Sequence, residues 1–388
     1  MRRAWLAMLI AHIAIASGGA QQNIPRMTVF PQIVVGGPWS SDFFLTNQGL
    51  TAINGVDLSL FKDSGDPMIV NTPDLGTASS FKFNLQPGET KVIRATRGPD
   101  IADVPGFAEL FCSADTGLRA GMIVRYAPGG QPAGQLGIPE QFPFSHFSFA
   151  GEIGSQANTG IALAIPTYRY SDIPDQKILV SILGPDGALI GTKQVPLSAG
   201  RHTAFLLGEL FPELRNFSGH VMVSGSDWLG VTALRIEGAT LGAVTVDEGI
   251  ALAPFCVSAN PVGEAEPNDD RNTAQPISSP AVVSGVIGSS SDVDYYRFTA
   301  RQGDIVSALV ETTSSAFSDL DAQLSILNAA GTEIAWNDQN GTGGRSRNDS
   351  LIRMVLPAAG DYFVRVSDYW GNGGDSYRYR LHLKVQAP

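Results

Sequence analysis

The sequence predicts an all-β protein of three β-sandwich domains in tandem, two Ig-like repeats followed by a jelly-roll-like C-terminal domain. Two observations predict it. Apolar and polar residues alternate at period two through most of the chain, and Gly, Pro, Asn and Asp break the alternation at roughly ten-residue intervals, as short antiparallel strands require. The middle of the chain also repeats itself. VDLSLFKDSG (56–65) matches ILVSILGPDG (178–187), so that Val56, Leu58 and Leu60 align with Ile178, Val180 and Ile182. LQPGETKVI (85–93) then matches LSAGRHTAF (197–205) with Gly88 and Gly200 in register, and GMIVRY (121–126) matches TALRIE (232–237). The 43 glycines and 24 prolines among 388 residues supply the turns.

The chain opens with Arg2 and Arg3, a short apolar run from Ala4 to Ala16, and Gly18-Gly19-Ala20. That order reads as a secretory signal over residues 1–20. The run is too short for a membrane span, and no later stretch approaches twenty apolar residues. A secreted or cell-envelope location is therefore expected. The first sandwich is expected at 25–140 and the second at 141–257. Cys112 and Cys256 are the only cysteines; export permits a bridge between them, and two buried thiols are the alternative. The net charge of −11 excludes nucleic acid as an expected partner, because phosphate is repelled, and favours cations.

Residues 258–270 read as an acidic linker ending in GEAEPNDD (263–270). In an extended chain alternate side chains share a face, so Glu264, Glu266 and Asn268 point together, with Pro267 stiffening the segment. Asp292 and Asp294 repeat the arrangement at the start of a predicted strand. Carboxylates gathered in this way repel one another unless a cation lies among them, and calcium takes six to eight hard oxygens. Composition by itself is met as well by a solvated linker.

The remainder, 271–388, differs from both repeats. EAEPND, DVDYYRF (292–298), LDAQLSI (320–326), Asn337-Asp338 and PAAGDYFVRV (357–366) together resemble the bacterial pre-peptidase C-terminal domain over about residues 264–388. The middle of the chain is more loosely similar to tandem β-sandwich modules of exported bacterial proteins of undefined function. The first resemblance implies an all-β module attached to secreted proteins and a bound calcium. Carried over by position, its ligands are Glu264, Glu266, Asn268, Asp269, Asp292 and Asp294. The ion is then expected to order the linker and fix the angle between the second and third domains.

Other polar clusters are weaker signals. Asp338, Asn340 and Asp349 flank a Gly-rich stretch that reads as a loop, with a second ion site as the alternative. In SYRYRLHLK (376–384) Arg378, Arg380, His382 and Lys384 share one face, which reads as the wet face of an edge strand or as a contact for an anionic partner. Tyr369 and Trp370 lie in a Gly-rich loop, either packed or exposed for a ligand. The chain contains no H-E-x-x-H, P-loop or G-x-S-x-G motif, and His146, His202, His220 and His382 are scattered. No enzymatic activity is expected. The expected function is an exported, non-catalytic binding or adhesion protein of the cell surface or matrix, meeting an extracellular protein or polysaccharide. An accessory chain of a secreted hydrolase or peptidase and a structural envelope component are the alternatives.

Overall fold

The computed structural model describes residues 26–96, 104–112, 117–167, 176–237, 240–244, 246–248, 260–312, 318–338 and 349–387. The expected signal segment, Cys256 and Asn340 lie outside the described residues. Nearly all regular structure is β-strand, in line with the period-two alternation. No helix among the described residues is long and apolar enough to cross a membrane.

The first sandwich faces two four-stranded sheets. One orders Arg26–Val35, Val104–Cys112, Ile53–Lys62 and Ser80–Leu85; the other orders Gly134–Pro139, Leu118–Tyr126, Trp39–Asn47 and Thr90–Ala95. Val56, Leu58 and Leu60 point into the core between them with Phe43, Leu45 and Ile93. Cys112 is buried in the same core.

The second unit repeats the connectivity strand for strand. Phe144–Ile153, Gln176–Leu183 and Leu189–Leu197 correspond to the first sheet, and Ala157–Ala164, His202–Leu206 and Thr240–Val244 to the second. Ile178, Val180 and Ile182 are buried as their counterparts are. Gly88 and Gly200 both sit in turns at positive φ, 75° and 67°, where a side chain would strain the backbone. One difference stands out. The two strands Val104–Cys112 and Leu118–Tyr126 of the first copy are replaced by one 21-residue strand, Phe217–Glu237. Its first part pairs with Phe144–Ile153 and Gln176–Leu183, its second with Ala157–Ala164 and Thr240–Val244. The unit is thus one bent eight-stranded sheet wrapped round its core. The strand's pairing with Phe144–Ile153 is irregular between Ser224 and Leu229, where it passes from one layer to the other.

The third sandwich has two five-stranded sheets. One orders Val262–Gly263, Ala281–Val286, Arg378–Gln386, Ile305–Glu311 and Ser350–Val355; the other orders Gln275–Pro276, Asp294–Ala300, Gly360–Asp368, Ala322–Asn328 and Glu333–Asn337. Two expectations change here. From Val262 onward the acidic segment is no tether, because Val262 and Gly263 pair in parallel with Val283 and Ser284. The basic strand is not an edge either: Arg378–Gln386 is central, bonded on both sides. On the neighbouring strand Glu311 lies opposite Arg380 in register, and its Oε2 is 3.3 Å from His382 Nε2.

The units meet through specific side chains. The Gln141 amide donates to Val231 O (2.7 Å) and accepts from Val231 N–H (2.6 Å), joining the first two units. His202 Nδ1 lies 2.7 Å from Asp63 Oδ1 across the same joint. At the second joint Leu183 and Met222 pack on Ile305 and Val355. The hydroxyls of Ser145 and Ser224 donate to the carbonyls of Leu351 and Arg353, on the edge strand of the third unit. His146 is enclosed there, and burial together with the Arg353 charge lowers its pKa from 6.5 to about 4.

That histidine makes stability depend on pH. Unfolded, His146 takes up a proton near pH 6.5; folded, it stays neutral to about pH 4. Its contribution is complete above pH 6.5 and is lost as pH falls from there to 4, by up to about 3 kcal/mol. Urea unfolding at pH 7 and pH 4.5 should show His146→Gln losing about 2 kcal/mol less than wild type. Equal losses in the two proteins would rule this out.

Candidate metal centre

The acidic segment is fixed by the strands it lies against. Glu264 N–H donates to Ser284 O (3.0 Å), and both Glu264 carboxylate oxygens accept from Val286 N–H at 3.0 and 2.9 Å. Asn268 N–H donates to Glu266 Oε2 (3.0 Å), while Asn268 O accepts from Tyr295 N–H (2.9 Å). This brings the segment beside the loop and strand start that carry Asp292 and Asp294. Asp292 Oδ2 accepts from Gly288 N–H. Asp294 is fully buried, and its Oδ2 accepts from the Tyr379 hydroxyl, which lies 2.6 Å from the hydroxyl of Tyr296.

Five carboxylates converge as two overlapping sets. Glu264, Glu266 and Asp294 form one, and Glu266, Asp269 and Asp292 the other, each with one oxygen per residue within 4.8 Å of its partners. Glu266 belongs to both. Asn268, the sixth residue of the expected set, is buried between them in sequence, and neither atom of its amide has a hydrogen-bond partner. Asp292 Oδ1 and Asp294 Oδ1 are also buried without partners. Buried polar atoms are rarely left in that condition.

Electrostatics agree with the geometry. Burial, and then the charges of Glu264, Asp292 and Glu266, push the Asp294 carboxyl up to about 8, against the opposing pull of the Tyr379 hydroxyl. Burial likewise raises Glu264, with Glu266 and Asp292 adding to it. A site of this kind needs either protons or a cation to offset its charge. The donors are all oxygen, with no His or Cys among them, which suits a hard cation such as calcium and not zinc.

Sequence reasoning missed Tyr296, Tyr379 and Gly285. The two tyrosines come from facing sheets, 83 residues apart, and tie Asp294 into the core. Their signal was present, since a tyrosine on a buried face requires a partner for its hydroxyl. Gly285 is paired with Tyr379, and a Cβ there would come within 2.5 Å of both Glu264 Oε2 and the Tyr379 hydroxyl.

The remaining candidates are not among the converging carboxylates. Asp349 Oδ1 accepts from Thr312 N–H (2.7 Å) and Oγ1 (2.8 Å), so this carboxylate braces a loop. Asp338 is buried nearby. Arg378 is exposed and donates through Nε to Asp375 O; Arg380 is half-buried. Tyr369 and Trp370 are exposed, Trp370 at 71%. The acid cluster lies at the Val262–Gly263 edge of its sheet, whereas the second unit docks on the opposite edge strand, Ser350–Val355, four strand spacings or about 19 Å away. None of the joint contacts described above involves the clustered carboxylates.

Part of the third sandwich matches a known family model. Residues 292–368 match the family model of the bacterial pre-peptidase C-terminal domain. A probable subtilase-type serine protease of Deinococcus radiodurans is 33% identical over 140 residues, 35% of this chain and 18% of that protein. The chain thus spans less than a fifth of that relative's length. Among solved structures, PliG of Salmonella Typhimurium, a periplasmic inhibitor of g-type lysozyme, aligns with 29% of this chain and all of its own at 19% identity. Its TM-score of 0.19 is too low to mark a shared fold.

Proposed function

We propose that this chain is an exported, non-catalytic binding protein whose C-terminal sandwich is ordered by calcium. The observation that carries the reading is the set of partnerless buried oxygens of Asn268, Asp292 and Asp294 among converging carboxylates. Glu264, Glu266, Asn268, Asp269, Asp292 and Asp294 would hold the ion, with Glu266 shared where two ions bind. Calcium would supply the positive charge that lets Asp294 and Glu264 ionise together, and would fasten residues 264–270 to the strand beginning at Asp294. The placing of His146 and His202 in the joints between units supports the non-catalytic reading.

The partner reading is an extracellular protein or polysaccharide at the cell surface or in the matrix. Service as an accessory chain to a secreted hydrolase is the second reading, favoured by the similarity to part of a subtilase-type protease. Copurification with a peptidase from the native secretome would favour that reading over a lone binding protein.

Thermal unfolding of the full chain, with calcium and then with excess EDTA, tests the ion. A ligand specific to the folded state stabilises it by about 2.7 kcal/mol at a hundredfold excess over Kd. A rise of several degrees in the transition of the third unit is expected, and magnesium should give much less, because it demands a smaller octahedral cage. An identical midpoint in millimolar calcium and in EDTA would defeat the proposal.

A further inference from the structure

Trp370 is a large apolar side chain left mostly in solvent. It is 71% exposed, with Tyr369 beside it at 39%, the rings 5.0 Å apart and nearly perpendicular at 88°. An exposed tryptophan is ordinarily mobile. This one is held: its indole N–H donates to Asp321 Oδ2 (2.9 Å), and its backbone N–H donates to Asp368 Oδ2 (3.0 Å). Asp368 is buried and also accepts from the N–H groups of Asn372 (2.9 Å) and Asp321 (3.1 Å), so one carboxylate shapes the whole turn. The turn is braced from behind as well. Gly374 N–H donates to Ile287 O (2.8 Å), and Gly373 lies so close to Ser289 that a Cβ would overlap its backbone. Fixing an apolar ring in water costs free energy with no return in folding, and it cuts the ordering cost of a ligand that stacks on the ring.

We propose that Tyr369 and Trp370 form a stacking platform for an uncharged polysaccharide. Perpendicular rings present one flat face and no slot, which suits a pyranose ring laid on the indole better than a polyproline ridge. The rim selects further. Asp319 and Asp375 are exposed carboxylates on the segments adjoining the turn, Asp319 accepting from the Ser376 hydroxyl, and Arg378 is exposed at the start of the strand that follows. Sugar hydroxyls both donate and accept, and so can use this mixed set. A proline-rich peptide offers carbonyl acceptors, for which carboxylates are no partners. Acidic glycans would be repelled by the same carboxylates. The platform deepens the binding reading above by naming a ligand class, and it does not depend on the ion.

The test is tryptophan fluorescence of the full chain in saturating calcium, titrated with cellohexaose, N-acetylated chitohexaose and laminarihexaose, and with hexalysine as the cationic probe. At least one neutral oligosaccharide should give a saturable change that persists in high salt. Trp370→Ala, read by competition with a labelled oligosaccharide because the reporting indole is gone, should weaken binding up to about tenfold, the scale of one aromatic stacking contact. Trp370→Phe should keep part of the binding, read by competition with a labelled oligosaccharide. Because Trp370 is on the surface, both variants should melt with the wild type. Binding of hexalysine alone, binding of no neutral oligosaccharide, or equal binding by Trp370→Ala would each overturn the proposal. Failure of the ion reading would appear in the calcium melts and leave these titrations untouched.

Discussion

Gly285→Ala is expected to abolish the calcium response and to destabilise the third sandwich in a single step. The added methyl would come within 2.5 Å of Glu264 Oε2 and of the Tyr379 hydroxyl. Neither group can withdraw freely. Glu264 is tied to Val286 N–H through both oxygens, and Tyr379 is fixed between Asp294 and Tyr296 in the core. Overpacking of this kind costs about 1–3 kcal/mol. The displaced carboxylate would also be a proposed ligand, so calcium should no longer raise the midpoint. Chemical unfolding in calcium and in EDTA checks both parts. A variant that melts with the wild type in EDTA and still responds to calcium would show that the site lies elsewhere.

Asp294→Asn should act oppositely in the two conditions. Without metal, burial and three neighbouring carboxylates drive Asp294 toward its neutral form, with a pKa near 8. An amide imitates that neutral carboxyl and can still accept from Tyr379, so stability in EDTA should change little. With calcium the variant lacks the charge that binds the ion. It should lose most of the stabilisation seen in wild type, about 2.7 kcal/mol at a hundredfold excess over Kd. The informative quantity is the difference between the two conditions. Equal calcium stabilisation of variant and wild type would remove Asp294 from the ligand set.

The strands and the repeat were legible because they depend on local alternation. Val56, Leu58 and Leu60 and their counterparts Ile178, Val180 and Ile182 fill equivalent cores, and Gly88 and Gly200 take the same turn conformation. The carboxylates Glu264, Glu266, Asp269, Asp292 and Asp294 do come together, but not by the alternation of an extended chain: the segment bends at Glu266, and Asp269, of the other parity, joins the cluster. What could not be read depends on long-range placement. Alternation at 378–386 is the same for an edge strand and a central one, so the position of Arg378–Gln386 was misjudged. Only TALRIE (232–237) reads as a strand in the sequence, and nothing local announces that it continues one strand beginning at Phe217. The Tyr296–Tyr379 contact, the grip of Gln141 on Val231 and the enclosure of His146 join residues 83 or more positions apart, or sit where separately folded units touch.

The long strand has a mechanical consequence. Gln141 clasps it at Val231, while Ser224 and Met222, on the same strand, engage the third unit. Seven residues separate Val231 from Ser224, and the pairing with Phe144–Ile153 is irregular between them. The middle unit is therefore crossed by a tie-rod. Tension applied between the outer units would run along covalent backbone across the middle one, in place of shearing its two layers apart. Under flow or traction the weak points would be the side-chain clasps at either end, which re-form when the load is released.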